Sequence, residues 1–274
     1  MPSSIRLPQM VKYPYMSVLP ALQAELAVAT NRLLATAASL SDADLAAPSL
    51  LPDWTRGHVL AHLAQNADSH LNLLTWARTG VRTPQYASFA ARSAAIEAAA
   101  THPVARHLAE LEDGAARLAA AVRDLPAYAW PAQVEGMRPP PHPAWYLLVR
   151  RLREIGFHHV DLAAGHTPGD WPAPFVRREL HDCLATWPRD HKAVGRIELV
   201  EDGRITATHG LGDGPAVRGA PHDMLAWLTG RSRGEGVSLV PVGRSSTPGR
   251  GEVGGDVGAG LPDPPPWLTM PAPR

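Results

Sequence analysis

The chain of 274 residues carries 26 Lys+Arg against 26 Asp+Glu, a formal net charge of zero, without the basic excess that nucleic-acid binding by counterion release draws on. No nucleic-acid partner is expected, and the single cysteine, Cys183, excludes an internal disulfide framework or a cysteine-rich zinc module and fits a reducing compartment. Hydrophobic residues make up 45%, enough for a core, yet no run reaches about 18 apolar residues and the opening residues lack a signal-peptide pattern, so a cytoplasmic protein without a membrane span is expected.

Residues 1–165 read as helical. Leu22, Leu26, Leu33 and Leu34 place an apolar stripe on a helix over Leu19–Leu40, and Ser41 caps a fresh start. The loop Leu51-Pro52-Asp53-Trp54-Thr55 feeds a long helix from Arg56 to Arg78, with Thr55 as N-cap and Gly80 as stop. Thr83-Pro84 opens a short crossing. A third long helix covers His102–Asp124, buried along Leu108, Leu111, Leu118 and Val122. Beyond the stiff Pro139-Pro140-Pro141 connection, a fourth runs from Pro143 to Ala164, with Pro143 in its first turn, where the missing N–H costs nothing. Four long helices with short connections predict a four-helix bundle.

After Gly165 the character changes. Phe175–Trp187 fits one more helix, and Gly195–His209 alternates apolar and polar residues around Asp202-Gly203, a hairpin signal. Met224–Leu228 is helical and Val237–Val242 a strand. The expected class is therefore α plus α+β, with a helical domain over 1–165 and a smaller α+β domain over 166–274. Residues 243–260, rich in Gly, Ser and Arg, are expected to be flexible, and Trp267 to dock an extended tail.

Thirteen histidines raise the question of a metal. His58 and His62 are four residues apart and share a helical face. The zinc-protease pattern needs Glu directly after the first histidine, and Val59 stands there instead. In the fourth helix, Glu154 and His158 repeat the four-residue spacing, on a segment whose apolar residues point to burial. A carboxylate inside a bundle is costly unless paired or bound to a cation; the alternative is an ion pair with Arg150, Arg151 or Arg153. One histidine of the second helix together with Glu154 and His158 makes a two-His, one-carboxylate set that leaves a position open and suits Zn²⁺, with Fe²⁺ or Mn²⁺ also compatible. His159 points about 100° away from His158, and Asp161 is placed to orient a ligand ring through a hydrogen bond. Cys183, among Leu180, Leu184 and Trp187, reads as an inert buried thiol.

These residues resemble a known family. The stretch from Leu51 through His58, His62 and Asn66, followed by Trp76-Ala77-Arg78-Thr79-Gly80 and Thr83-Pro84-Gln85-Tyr86, is similar to the mycothiol-dependent maleylpyruvate isomerases, members of the DinB-like superfamily of metal-binding four-helix bundles. Arg151 to Leu162, with Glu154, His158 and Asp161, resembles that family's second metal motif. Leu228-Thr229-Gly230-Arg231 and the closing Pro265-Pro266-Trp267-Leu268 resemble its C-terminal domain. The resemblance implies His62, Glu154 and His158 as metal ligands, leaving His58 a structural role, and Arg92 and Arg231 as catalytic arginines. It implies mycothiol as the thiol cofactor and a zinc-bound thiolate that isomerises maleylpyruvate to fumarylpyruvate in gentisate degradation. A mycothiol S-transferase, or a ligand-binding protein with a decayed site, is the alternative. The partners expected are a small-molecule substrate and a low-molecular-weight thiol, in a monomer or small homo-oligomer.

Overall fold

The computed structural model describes residues 17–188, 190–240 and 260–265. Nearly all of the segment expected to be flexible, and Trp267, lie outside the described residues. In chain order the helical part comprises α1 (Leu19–Ala38), α2 (Asp42–Leu45), α3 (Arg56–Thr79), α4 (Phe89–Ala99) and α5 (Val104–Arg123). The strand pair β1 (Gln133–Val134) and β2 (His142–Pro143) leads into α6 (Tyr146–Asp161).

Local chemistry sets the helix starts. Ser41 accepts from the Asp44 N–H while Asp44 reaches back, and Thr55 does the same with His58, whose imidazole takes the place of the usual glutamate. Gly80, at φ 71°, closes α3 in a left-handed cap. The long helices α1, α3, α5 and α6 each pack on two neighbours, in the ring order α1–α6–α3–α5. This is the expected bundle. Its core runs from Leu73, Leu118, Leu147 and Trp130 at one end to Leu33, Leu60, Leu111 and Leu162 at the other.

Three boundaries differ from the sequence reading. The short crossing contains a full helix, α4, whose alanine-rich run is capped by Ser88 accepting from the Ala91 N–H at 3.0 Å. The third long helix begins at Val104, because Pro103 takes the extended cap position. Pro143 is not in a helix: it pairs with Gln133 in the β1–β2 ladder, and α6 starts three residues later. A residue without an N–H is tolerated in so short an edge pairing as well as in a first turn.

The second half contains α7 (Ala173–Ala185), strands β3 (Arg196–Glu201), β4 (Arg204–Gly210) and β5 (Ala216–Gly219), then α8 (Pro221–Leu228) and β6 (Val237–Val240). The sheet order is β4-β3-β5-β6, with β3 and β5 parallel and the other pairs antiparallel. The β3–β4 hairpin turns at Asp202 and Gly203, both at positive φ (50° and 72°), as a right-twisted two-residue turn demands. The architecture is α plus α+β. Its second core gathers Trp171, Phe175, Val217, Met224 and Trp227 around Phe157 and Val160, which α6 contributes. The two halves therefore share α6. Gly156 permits the contact: a Cβ there would lie 2.5 Å from the Phe175 ring. Cys183 is buried in this same core, beside Leu180. No described helix is long and apolar enough to cross a membrane.

Candidate metal centre

Helices α3 and α6 pack against each other, so a face of one meets a face of the other. His62 on α3 and Glu154 and His158 on α6 bring one potential ligand atom each to within 4.8 Å of one another. Nε2 of His62 lies 3.0 Å from Oε2 of Glu154, and Nε2 of His158 lies 3.4 Å from the same oxygen. The two imidazoles meet edge to face, with centroids 4.7 Å apart. None of the three neighbouring arginines pairs with Glu154. Arg153 turns to Glu179 and Asp182, Arg151 to Leu63 and Asn66, and Arg150 to His142. The carboxylate is left to the two histidines.

Around this triad the charges are arranged asymmetrically. Burial pushes His62 down to about 4, so its ring is neutral at physiological pH. Burial alone would raise Glu154, but hydrogen bonds from His158 and His62 outweigh it and hold the carboxyl well below its usual range. His158 is raised despite burial, because the carboxylates of Asp161 and Glu154 both favour its charged form. Nδ1 of His158 sits 2.8 Å from Oδ2 of Asp161, which fixes the ring with Nε2 toward Glu154. Asp161 in turn receives the fork of Arg231, with Nε at 3.1 Å and Nη2 at 2.7 Å. Nη1 of Arg231 donates to the Thr229 carbonyl, and the guanidinium lies 5.0 Å from the Phe157 ring centroid.

On the other side, Nη2 of Arg92 approaches Nδ1 of His62 to 3.1 Å, and its guanidinium also sits 5.8 Å over the Tyr86 ring. Trp54 presents its ring edge to His62, with centroids 5.7 Å apart. His58 stands outside the cluster: its Nδ1 serves the Thr55 cap, and its Nε2 reaches Glu97 on α4 at 3.2 Å. His159 turns away, donating or accepting at Thr36 and stacking on His166 at 3.7 Å. Two imidazoles and one carboxylate, with a carboxylate behind one ring, form a donor set able to hold a divalent cation with a position left open. His70 and His142 are also buried, and no motif in the sequence marks either. Position is the one signal for His70, eight residues beyond His62 on the same helix.

Residues 26–163 match the family model described as the mycothiol maleylpyruvate isomerase N-terminal domain. Among solved structures the chain is similar to the mycothiol-dependent maleylpyruvate isomerase, with 27% identity, a TM-score of 0.77, and coverage of 92% of this chain and 99% of that one. A histidine-to-alanine mutant of that isomerase matches with the same values. No curated protein matches.

Proposed function

The chain belongs to the mycothiol maleylpyruvate isomerase family, and from that premise we propose that it converts maleylpyruvate to fumarylpyruvate with mycothiol as thiol cofactor. His62, Glu154 and His158 would hold a divalent cation, Zn²⁺ by the chemistry of the donor set. The observation that carries this reading is the convergence of those three side chains between two arginines, Arg92 at His62 and Arg231 at Asp161. A cytoplasmic location and a role in the breakdown of aromatic compounds go with this reading.

A bound divalent cation would supply the charge that turns a thiol of pKa about 8.5 into its thiolate at neutral pH. In the reaction, sulfur bonds to one carbon of the cis double bond and the π pair moves to the conjugated carbonyl oxygen. The resulting single bond rotates, and the pair returns to reform the double bond, now trans, as the sulfur leaves. Atoms and electrons balance without a further reactant. Arg92, half-buried beside the triad, would stabilise the oxygen on which negative charge develops and grip a substrate carboxylate. Arg231 commits its fork to Asp161, so we assign it a positioning role: it holds Asp161, which holds His158. Trp54 walls one side of His62 against water.

The deciding assay supplies maleylpyruvate with mycothiol, with glutathione, and with no thiol, using zinc-loaded and chelator-stripped protein. Turnover to fumarylpyruvate with mycothiol and zinc together supports the reading. Thiol-independent turnover, or a stable thiol conjugate as the product, overturns it; the latter outcome would assign an S-transferase.

A further inference from the structure

A crevice of about 400 Å³ opens between α1 and α5 and shares no lining residue with the metal centre. Its walls are mostly apolar, with Leu26, Leu118 and Val122 prominent beside the neutral polar Gln23, Thr30 and Asn31, and its two charged lining residues, Arg151 and Arg123, are both cations. Arg151 contributes to it from α6 and is only 3% exposed. Its two hydrogen bonds among the described residues both leave from Nη1, to the Leu63 carbonyl at 2.9 Å and to Oδ1 of Asn66 at 2.7 Å. A guanidinium has five N–H donors, so Nε and Nη2 make no hydrogen bond among the described residues.

The charge also has no ion-pair partner among the described residues, although the Glu154 carboxylate favours it from one helical turn away. Arg153, two residues on, is equally buried but pairs with both Glu179 and Asp182. Arg151 has no such partner among the described residues, and Glu154, one turn along the helix, is engaged by His62 and His158. Burial draws Arg151 down to about 10. A buried cation without an ion-pair partner is unfavourable, and one that lines a mostly apolar crevice of ligand size is a recognition feature. We propose that this crevice binds an apolar carboxylate, its head group paired with Arg151 and its hydrocarbon lying along Leu26, Leu118 and Val122. The planar guanidinium suits a carboxylate head, and the absence of any acid from the lining leaves nothing to repel it. The site stands independently of the isomerase reading.

Calorimetric titration of the full-length, zinc-loaded protein with decanoate, decanol and acetate tests this. Decanoate is expected to bind at least tenfold more tightly than either of the others, since only it offers both head and tail. Arg151→Met is expected to weaken decanoate at least tenfold. If that variant fails to fold, Ala115→Trp, at a lining position that makes no hydrogen bond to Arg151, fills the crevice and is expected to do the same. His62→Ala is expected to retain decanoate binding. Absence of decanoate binding, equal affinity for decanol, binding that survives Ala115→Trp, or loss of binding in His62→Ala (which would place the ligand at the metal centre) each overturns the proposal.

Discussion

Nη2 of Arg92 stands 3.1 Å from Nδ1 of His62, and a guanidinium can only donate. Nδ1 must therefore accept, and the neutral ring carries its proton on Nε2, where Oε2 of Glu154 receives it at 3.0 Å. A cation held by Nε2 requires the opposite tautomer, with the proton on Nδ1. Metal uptake must then turn Arg92 away from the ring, which frees it for the substrate. Arg92→Ala is expected to bind Zn²⁺ about tenfold more tightly, the equivalent of about 1.4 kcal/mol for a charge-assisted hydrogen bond no longer broken. Its turnover is expected to fall about 10²-fold. Competition with a chromophoric chelator measures the first effect, and unchanged or weaker zinc affinity would show that Arg92 supports the ligand instead of opposing it.

His62 is buried on α3 at a layer where the apolar neighbours Val59, Leu60 and Leu63 already fill the core. His62→Ala is expected to abolish stoichiometric zinc while helix content by circular dichroism stays that of the parent. Elemental analysis reads the metal. Zinc retained at one equivalent in that variant would remove His62 from the ligand set.

The Asp161 carboxylate joins His158 to Arg231, and both partners hold it ionised against burial. Asp161→Asn is expected to weaken zinc binding by about 10- to 100-fold, the usual cost of losing the group behind a ligating imidazole. Arg231→Ala leaves the carboxylate in place but unanchored, so a smaller loss of affinity is expected, with partial recovery in Arg231→Lys. Zinc affinity untouched by Arg231→Ala, alongside a fall in turnover, would return Arg231 to direct contact with the substrate.

Acid sensitivity has a separate origin. Burial holds His70 down to about 3 and His142 down to about 4, while an unfolded histidine titrates near 6.5. Between those values the unfolded chain binds more protons than the folded one, so stability is intact above about pH 6.5 and falls as the pH drops toward about 4. At pH 5 each histidine is expected to cost about 2 kcal/mol relative to pH 7.5. Guanidinium unfolding of the metal-free protein at both pH values measures this, with His70→Gln and His142→Gln each expected to flatten the slope. Equal slopes in parent and variants would assign the acid loss to other groups.

The bundle was legible because apolar stripes marked the first and third long helices while Thr55 with Gly80 and Pro143 with Gly165 bounded the other two, and the β3–β4 hairpin because Asp202-Gly203 admits so few turns. Helix α4 was not, since Ala91, Ala94 and Ala95 form no stripe and the Thr83-Pro84 signal ahead of them reads as loop. The partners of the arginines were hidden too. Sequence spacing set Arg150, Arg151 and Arg153 beside Glu154, and only the tertiary fold brings Glu179 and Asp182 to Arg153 from a helix more than twenty residues on. Arg92 reaches His62 from a separate element, so local pattern alone carried no trace of their contact.

That distant pairing has its own consequence. Arg153 is 2% exposed and is bound by the carboxylates of Glu179 and Asp182, while the Tyr146 hydroxyl donates to Asp182 at 2.6 Å. The cluster fastens α7 to α6, one residue from Glu154. Removing the cation strands two buried carboxylates, so Arg153→Met is expected to destabilise the protein by about 3–5 kcal/mol. Glu179→Gln keeps the shape and leaves Asp182 to neutralise Arg153, so a loss of about 1–2 kcal/mol is expected. Because Glu154 draws on none of these bonds, zinc stoichiometry should be unchanged in Glu179→Gln. Denaturant unfolding and elemental analysis on the same samples separate the two effects. Zinc lost in step with stability would show that the α6–α7 clamp sets the metal centre as well as the fold.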